Sequence, residues 1–242
     1  MADLHHLTTF IRTQAAARDV ETLWDAITVY LAAHTLPMVS YHHHAPGFGG
    51  AAAITLKSQG FPDAWVRHYI EKKLYRIDPI TDYAMRSTRP FFWSEVRTLA
   101  SLMPDQQGYL QELEAAGIGD GLAVQVFGPR LRHGYFGLGF GGDRRDLPTE
   151  LVGDLQVVCQ MAHLRYCDLM PPPEPETLSP REREVLEWIA RGKSNAAIGR
   201  ILDVSSHTVD AYLRRIFAKL EVGDRTSAAI RGIGAGLIRG EL

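Results

Sequence analysis

The sequence predicts an α+β protein with an N-terminal α/β/α sandwich around an antiparallel sheet and a C-terminal domain of four helices. Three observations lead to this fold class. Helical and two-residue apolar periodicities alternate through residues 1–170, residues 178–242 show helical periodicity alone, and residues 171–177 between them are rich in proline. We therefore place the domain boundaries at 1–170 and 178–242, with 171–177 as a linker.

The first 170 residues predict strand pairs separated by helices. Apolar residues alternate, as in half-buried strands, in segments 38–44, 51–56, 122–127 and 134–140. The spacing typical of helices recurs in segments 9–17, 21–33, 64–74, 81–86, 105–116 and 150–169. The last of these helices closes the domain with Leu151, Leu155, Val158, Ala162 and Tyr166 facing inward.

The segment Pro171-Pro172-Pro173-Glu174-Pro175-Glu176-Thr177 predicts the domain boundary. Proline fixes φ, removes a backbone donor and disfavours helix in the residue before it, so the preceding helix cannot continue. As a polyproline-like spacer the segment would reach roughly 20 Å, at about 3.1 Å per residue.

Composition and charge are those of an ordinary globular protein. The chain has 242 residues, 45% of them hydrophobic, and a formal net charge of −2. Attraction to nucleic acid would therefore have to be local. Cys159 and Cys167 match neither a redox nor a zinc spacing, so we expect two buried or half-buried thiols. Because we find no secretory signal and no apolar run long enough to cross a bilayer, we expect a cytoplasmic protein without a membrane partner.

The four C-terminal helices are predicted from their start signals and apolar spacing. Ser179 is a typical N-cap, Pro180 suits the first helical position, and Glu182 stands where a capping box requires it. This helix ends at Gly192. Further helices are predicted at 195–202, from 205 or 206 to 220, and at 226–238.

The second and third of these helices form a helix-turn-helix. A tight turn at Asp203 and Val204 joins them, and the third helix has a buried stripe and an opposite polar stripe. This arrangement fits a DNA major groove. The buried stripe is Val209, Leu213, Ile216 and Leu220. The residues that we expect at the DNA are Ser206, His207, Thr208, Asp210, Ala211, Arg214, Arg215 and Lys193.

The C-terminal segment as a whole resembles the LuxR/NarL type of helix-turn-helix domain, in register and without gaps. The matching positions are Leu178-Ser179-Pro180-Arg181-Glu182, Gly192-Lys193-Ser194-Asn195, Ile198, Thr208-Val209, Leu213, Ile216, Lys219-Leu220 and Arg225-Thr226. For Arg214 we expect a bidentate contact to guanine, and for Lys193, Arg215 and Lys219 phosphate contacts or structural ion pairs. Asp210 stands where relatives often have a basic residue, so it either accepts from cytosine N4 or discourages wrong sites.

Three patterns in the N-terminal region do not predict catalysis or metal binding. The GxGxxG match at 137–142 lies late in a strand with no helix after it, so it lacks the helix N-terminus that holds a pyrophosphate. The run His42-His43-His44 alternates between two faces of a strand and cannot converge on one metal. No nucleophile is flanked by a supporting motif. We therefore expect no enzyme activity, no metal and no cofactor.

A set of six residues in the N-terminal region matches, in type and spacing, the autoinducer-binding domain of LuxR-type regulators. The set is Trp65, Tyr69, Asp78, Pro79, Trp93 and Gly121. Trp65 and Tyr69 are one helical turn apart and share a face, and Asp78-Pro79 begins the next element. With the C-terminal match, the resemblance covers nearly the entire chain, from about residue 7 to residue 238.

The resemblance implies a receptor for an N-acyl-homoserine lactone that binds a double-stranded DNA operator as a homodimer. By that similarity Trp65 donates to the lactone carbonyl, Asp78 accepts the amide N–H and Tyr69 donates to the acyl carbonyl. Trp93 packs on the lactone ring, and Gly121 permits a close backbone approach or an unusual φ. Whether the ligand promotes or releases DNA binding, and whether the protein is an activator or a repressor, stays open.

The far end of the pocket departs from common family members. Phe61 replaces a frequent Tyr, and Phe140 aligns near a position that often carries Ser or Thr. With those hydroxyls gone, we expect an unsubstituted, branched or aromatic acyl chain. Two alternative classes stay open: an orphan receptor for another small molecule, such as a plant-derived or aryl compound, and a response-regulator-like transcription factor, although we find no phosphoacceptor pocket.

Overall fold

The computed structural model describes residues 2–45, 53–143, 146–171 and 177–239. Its internal contacts divide the chain into two compact units, the larger drawn from residues before 172 and the smaller mainly from residues 177–239. Of the predicted linker at 171–177, residues 172–176 lie outside the described residues.

A five-stranded sheet forms the centre of the larger unit. Its strands are β1 (Met38–Ala45), β2 (Ala53–Gln59), β3 (Phe91–Phe92), β4 (Gly121–Val126) and β5 (His133–Gly139). Their order is β2-β1-β5-β4-β3, and the β1–β5, β5–β4 and β4–β3 pairs are antiparallel. The first two residues of the predicted strand at 51–56 lie outside the described residues, and β2 continues past its predicted end. β3 was not predicted because two residues are too short to show a periodicity.

Helices cover both faces of this sheet. They are α1 (Ala2–Ala16), α2 (Val20–Ala33), α3 (Asp63–Glu71), α4 (Pro79–Ala84), α5 (Val96–Leu99), α6 (Pro104–Ala115) and α7 (Thr149–Leu169). The helices α1, α2 and α7 share one apolar core with alternate sheet residues such as Val124 and Phe136, and α3 to α6 share a second core with Ala123 and Tyr135. The predicted α/β/α sandwich is confirmed.

Several helix ends differ from the prediction for local reasons. The first helix begins at Ala2 instead of residue 9. Helix α3 ends at Glu71 instead of residue 74, because Lys73 takes the left-handed conformation, with φ 55°. Helix α4 begins at Pro79, two residues before its predicted start, because the Asp78 side chain caps it.

The smaller unit is the predicted four-helix domain. Its helices are α8 (Pro180–Ala190), α9 (Asn195–Leu202), α10 (Ser206–Leu220) and α11 (Arg225–Gly234). The predicted capping box is present, since Ser179 Oγ accepts from Glu182 N at 3.3 Å and Glu182 Oε2 accepts from Ser179 N at 2.8 Å. The stripe predicted for α10 is buried. Helix α11 ends before residue 238, since Gly236 has a positive φ of 71°.

The two cysteines and the lengths of the helices also bear on predictions from the sequence. Cys159 and Cys167 are free and buried, as predicted, and burial raises the pKa of the Cys159 thiol well above its ordinary value. Among the described residues, no helix has the length and apolar character needed to cross a bilayer.

Candidate functional site

A cavity lies between one face of the sheet and the helices α3, α4 and α6. The space between its walls is about 480 Å³, and part of this space is open to solvent. Five of the predicted ligand residues line it: Phe61, Trp65, Tyr69, Asp78 and Trp93. The other lining side chains are Ser40, His42, Leu56, Ser58, Val66, Ile80, Tyr109, Leu113 and Tyr135. Aromatic and aliphatic walls with a few converging polar groups are typical of a small-molecule site.

Asp78 is the charged centre of this cavity and is only 4% exposed. One carboxylate oxygen accepts from Ile80 N at 2.9 Å and Thr81 N at 3.4 Å, which caps α4. The other accepts from Tyr69 Oη at 2.9 Å and Thr81 Oγ1 at 3.0 Å. Burial raises the pKa of Asp78, although these four hydrogen bonds oppose the shift. Pro79, at the first position of α4, is buried beside it but does not line the cavity.

Trp65 and Tyr69 lie one turn apart on α3 and face the cavity together, as their spacing predicts. Their rings are 6.3 Å apart between centroids. Burial, and then the neighbouring Asp78, raise the pKa of Tyr69 well above its ordinary value, so the phenol keeps its proton. Tyr69 is therefore a permanent donor, directed at Asp78 in this structure.

Trp93 forms part of the wall beside the short strand β3. Its ring stacks on Phe61 at 6.4 Å between centroids and an angle of 26°. Gly121 lies directly behind it, because a Cβ there would stand 2.6 Å from Trp93 Cζ2 and 2.7 Å from the backbone oxygen of Leu138. Gly121 has no positive φ, so its role is close approach. The buried Trp93 N–H lies near the Tyr135 hydroxyl without a well-formed hydrogen bond.

One predicted site residue lies elsewhere. Phe140 belongs to the core on the opposite face of the sheet, where its ring packs against Phe92 at 6.1 Å. Its assignment to the pocket is wrong for a physical reason: side chains alternate along β5, and Tyr135 already occupies the cavity face.

Sequence reasoning missed several polar groups of the cavity wall. Ser40 and His42 come from β1, Ser58 from β2 and Tyr135 from β5. The alternation of β1 was the available signal, since it separates His42 on the cavity face from His43, whose ring contacts Tyr166 of α7 at 5.0 Å. The prediction that the three histidines do not converge on one face is confirmed.

The residues predicted to contact DNA lie on or near the outer face of α10. Ser206, His207, Asp210, Arg214, Arg215 and Lys193 are exposed, and Thr208 and Ala211 are half-buried. Asp210 has a partner within the unit, because Asn195 Nδ2 donates to Oδ1 of its carboxylate. This hydrogen bond joins the start of α9 to the exposed face of α10.

Glu182 fixes the other end of α10. Lys219 Nζ lies 2.8 Å from Glu182 Oε2 and also donates to the Thr177 carbonyl at 3.0 Å. The Arg215 guanidinium lies 3.8 Å from Glu182 Oε1 and 4.7 Å from the centroid of the Tyr212 ring. Partial burial raises the pKa of Glu182, but the hydrogen bonds from Lys219 and Ser179 outweigh it and the net shift is downward. Of the two expectations for Lys219, the structural ion pair is the one observed.

The described parts of the chain contain no group of three His, Cys, Asp or Glu side chains that could hold a metal ion. A small-molecule cavity in one unit and a helix-turn-helix in the other define a class of protein, the ligand-responsive transcription regulator.

Family comparisons identify the family within this class. Residues 19–166 match the autoinducer binding domain, and residues 176–231 match the bacterial regulatory proteins of the luxR family. The chain belongs to the LuxR family of autoinducer-binding, quorum-sensing transcriptional regulators.

Individual relatives agree with this assignment. The HTH-type quorum sensing-dependent transcriptional regulator RpaR of Rhodopseudomonas palustris is 28% identical over 192 residues, 78% of this chain and 77% of that protein. The protein y4qH of Sinorhizobium fredii is 29% identical over 74% of this chain, and the match spans only 55% of y4qH. Escherichia coli SdiA has the same fold, with a TM-score of 0.74, 20% identity and coverage of 96% of this chain and 97% of that chain. SdiA has also been solved in complex with octanoyl-rac-glycerol.

Proposed function

We propose that this regulator binds an N-acyl-homoserine lactone in the cavity of its larger unit. The observation that carries the proposal is the buried Asp78 carboxylate, held by Tyr69 in a cavity walled by Trp65 and Trp93. A buried carboxylate is costly unless its acceptor sites are used. In the bound state the amide N–H of the ligand would replace the Tyr69 hydroxyl at Asp78, which frees that hydroxyl to donate to one ligand carbonyl. The indole N–H of Trp65 would donate to the other carbonyl.

The ligand stabilises the folded protein in this proposal. A ligand that binds only the folded state adds RT ln(1 + [L]/Kd), which is about 4 kcal/mol at a thousandfold excess over Kd. We expect the melting temperature of the full chain to rise with added octanoyl-homoserine lactone. An unchanged melting curve over a series of lactones contradicts the proposal, and stabilisation by 1-octanoylglycerol alone favours the other small-molecule class.

A matched pair of variants separates ligand recognition from helix capping. Asp78 caps α4, and Asp19 caps α2 by accepting from Thr22 N at 2.7 Å, far from the cavity. Asparagine is itself a good N-cap. We expect Asp78→Asn to weaken lactone binding at least about tenfold, the effect of 1.4 kcal/mol, and Asp19→Asn to leave it unchanged. Unchanged lactone binding in both variants would mean that the carboxylate of Asp78 serves capping alone.

We further propose a homodimer whose subunits meet through α7. Val157 and Leu164, 45% and 43% exposed, are seven residues apart and so share one outer face of this helix. A two-fold dimer would bring two copies of α10 to half-sites about 34 Å apart on double-stranded DNA. Leu164→Glu should give monomers in light scattering and lose operator binding, whereas the control Ile11→Glu should do neither.

Operator recognition in this proposal uses the exposed face of α10. Arg214 is the residue we expect to read a guanine, and His207 lies two turns earlier on the same exposed face of α10. Asp210, which accepts from Asn195, has remaining acceptor capacity for a cytosine amino group. Arg214→Ala should lower affinity for the operator more than for random DNA, as measured by fluorescence anisotropy. A uniform loss on both DNAs would assign Arg214 to the phosphates instead.

A further inference from the structure

His42 is a buried polar side chain in the cavity wall that the roles given above do not use. It is 4% exposed and lines the cavity from β1. Among the described residues, its Nδ1 has no hydrogen-bond partner. Its ring packs edge-on against Tyr69 and Tyr135, with centroids 5.8 Å and 5.2 Å away. Two aromatic contacts thus fix the orientation of an imidazole whose Nδ1 has an unused hydrogen-bonding capacity.

The surroundings of His42 place it close to the residues that would hold the ligand amide. Tyr69 touches the imidazole with its ring and donates its hydroxyl to Asp78 at 2.9 Å. Ser40 shares the cavity face of β1 with His42, and a Cβ at Gly137 would stand 2.7 Å from Ser40 Oγ and 2.8 Å from Tyr135 Oη. The sheet side of the cavity therefore carries a small group of polar atoms next to the Tyr69–Asp78 pair.

The chemistry of this group favours an oxygen atom on the ligand. Burial lowers the pKa of His42 to about 3, so the ring is neutral at pH 7 and has one donor and one acceptor nitrogen. A hydrocarbon chain beside it would leave a buried nitrogen unpaired, which costs free energy. A keto or hydroxyl oxygen would accept the imidazole N–H. Sites built to hydrogen-bond a substrate group discriminate strongly against analogues that lack it.

We propose that His42 is a specificity-determining residue that hydrogen-bonds an oxygen on the acyl chain of the bound lactone, near its amide end. The inference rests on the proposed function and names the subclass of ligand. It replaces the expectation of an unsubstituted, branched or aromatic acyl chain. That expectation depended on missing hydroxyls at Phe61 and Phe140, and Phe140 lies on the other face of the sheet.

The test compares octanoyl-, 3-oxo-octanoyl- and 3-hydroxyoctanoyl-homoserine lactone by titration calorimetry on the full chain. The wild type should bind at least one oxygenated lactone about tenfold more tightly than the unsubstituted one. His42→Phe keeps an aromatic ring between the tyrosines and should reduce this preference to less than about threefold, because it should weaken the oxygenated lactone more than the unsubstituted one. His42→Gln, which keeps a donor and an acceptor, should retain part of the preference.

His44→Phe is the matched control, since His44 is the next residue on the same face of β1 and does not line the cavity. It should keep the wild-type preference. If His42→Phe does not fold, His42→Met is judged by the same criterion. Equal binding of all three lactones by the wild type, or a preference that survives both substitutions, overturns the role of His42 while the proposed function stands. Failure of every lactone to bind overturns both.

Discussion

Replacing Gly121 by alanine tests the close packing behind the cavity. The new Cβ would stand 2.6 Å from Trp93 Cζ2, 2.7 Å from Trp93 Cε2 and 2.7 Å from the backbone oxygen of Leu138. Since carbon atoms in contact are normally about 3.5–4.0 Å apart, either the indole or the neighbouring strand β5 must move. Because the indole forms part of the cavity wall, we expect it to move toward the cavity.

The size of the effect follows from this overlap. Inserting a methyl group into a well-packed core costs about 1–3 kcal/mol. In a domain of 150–250 residues, 2 kcal/mol corresponds to a loss of about 4–8 °C in melting temperature. Differential scanning fluorimetry on the full chain measures this loss. Because the displaced ring takes up space that the lactone needs, titration should also show weaker ligand binding.

Gly108→Ala is the matched control for this substitution. Gly108 lies within α6, and a Cβ there would meet nothing within 4 Å. Alanine is favoured over glycine inside a helix by about 1 kcal/mol, so the control should be neutral or slightly more stable. The reasoning is refuted if Gly121→Ala melts within a degree of the wild type and binds ligand normally.

Three further predictions concern other contacts of the structure. Tyr69→Phe removes the hydroxyl donated to Asp78, and the melting temperature should fall by the equivalent of about 1.5–3 kcal/mol for a hydrogen bond to a charged group; an unchanged value contradicts the importance of this bond. Burial lowers the pKa of His42 to about 3, so below about pH 6.5 the unfolded state binds a proton at this residue and the native state does not. The free energy of unfolding should therefore decrease as the pH is lowered, by up to about 1.4 kcal/mol per pH unit. Melting between pH 5 and 8 should show a smaller slope in His42→Phe than in the wild type. Lys219→Met leaves the carboxylate of Glu182 without its nearest cation and should cost about 1–3 kcal/mol in urea denaturation; an unshifted midpoint would speak against this ion pair as a support of α10.

Local signals were sufficient where the physics is local. Ser179, Pro180 and Glu182 specify a helix start within four residues, and the structure has that capping box. The start of α4 could have been predicted in the same way. The sequence indicates that Asp78 and Pro79 begin an element, but apolar spacing puts the helix start at residue 81. The Asp78 carboxylate accepts from Ile80 N and caps the helix, so the helix begins two residues earlier.

The cavity could be predicted only in part because its walls come from distant segments. Trp65 and Tyr69 share a helix face, and spacing reveals this. Phe140 was placed by similarity when the alternation of its own strand assigns it to the opposite face. Ser58 reaches the cavity from β2, and no sequence periodicity could place its hydroxyl opposite side chains of α3 and α6.

The ion pairs around Glu182 also affect how the protein would search a genome. The logarithm of the DNA-binding constant falls linearly with the logarithm of the salt concentration, and each phosphate neutralised by a basic side chain adds about 0.9 to the steepness of this slope. The charge of Lys219 is already compensated by Glu182, so its contribution to counterion release should be small. Affinity should therefore decline with ionic strength less steeply than the number of cations on α10 suggests. Such a regulator would be held more weakly on random sequence and would depend on base contacts to remain at its operator.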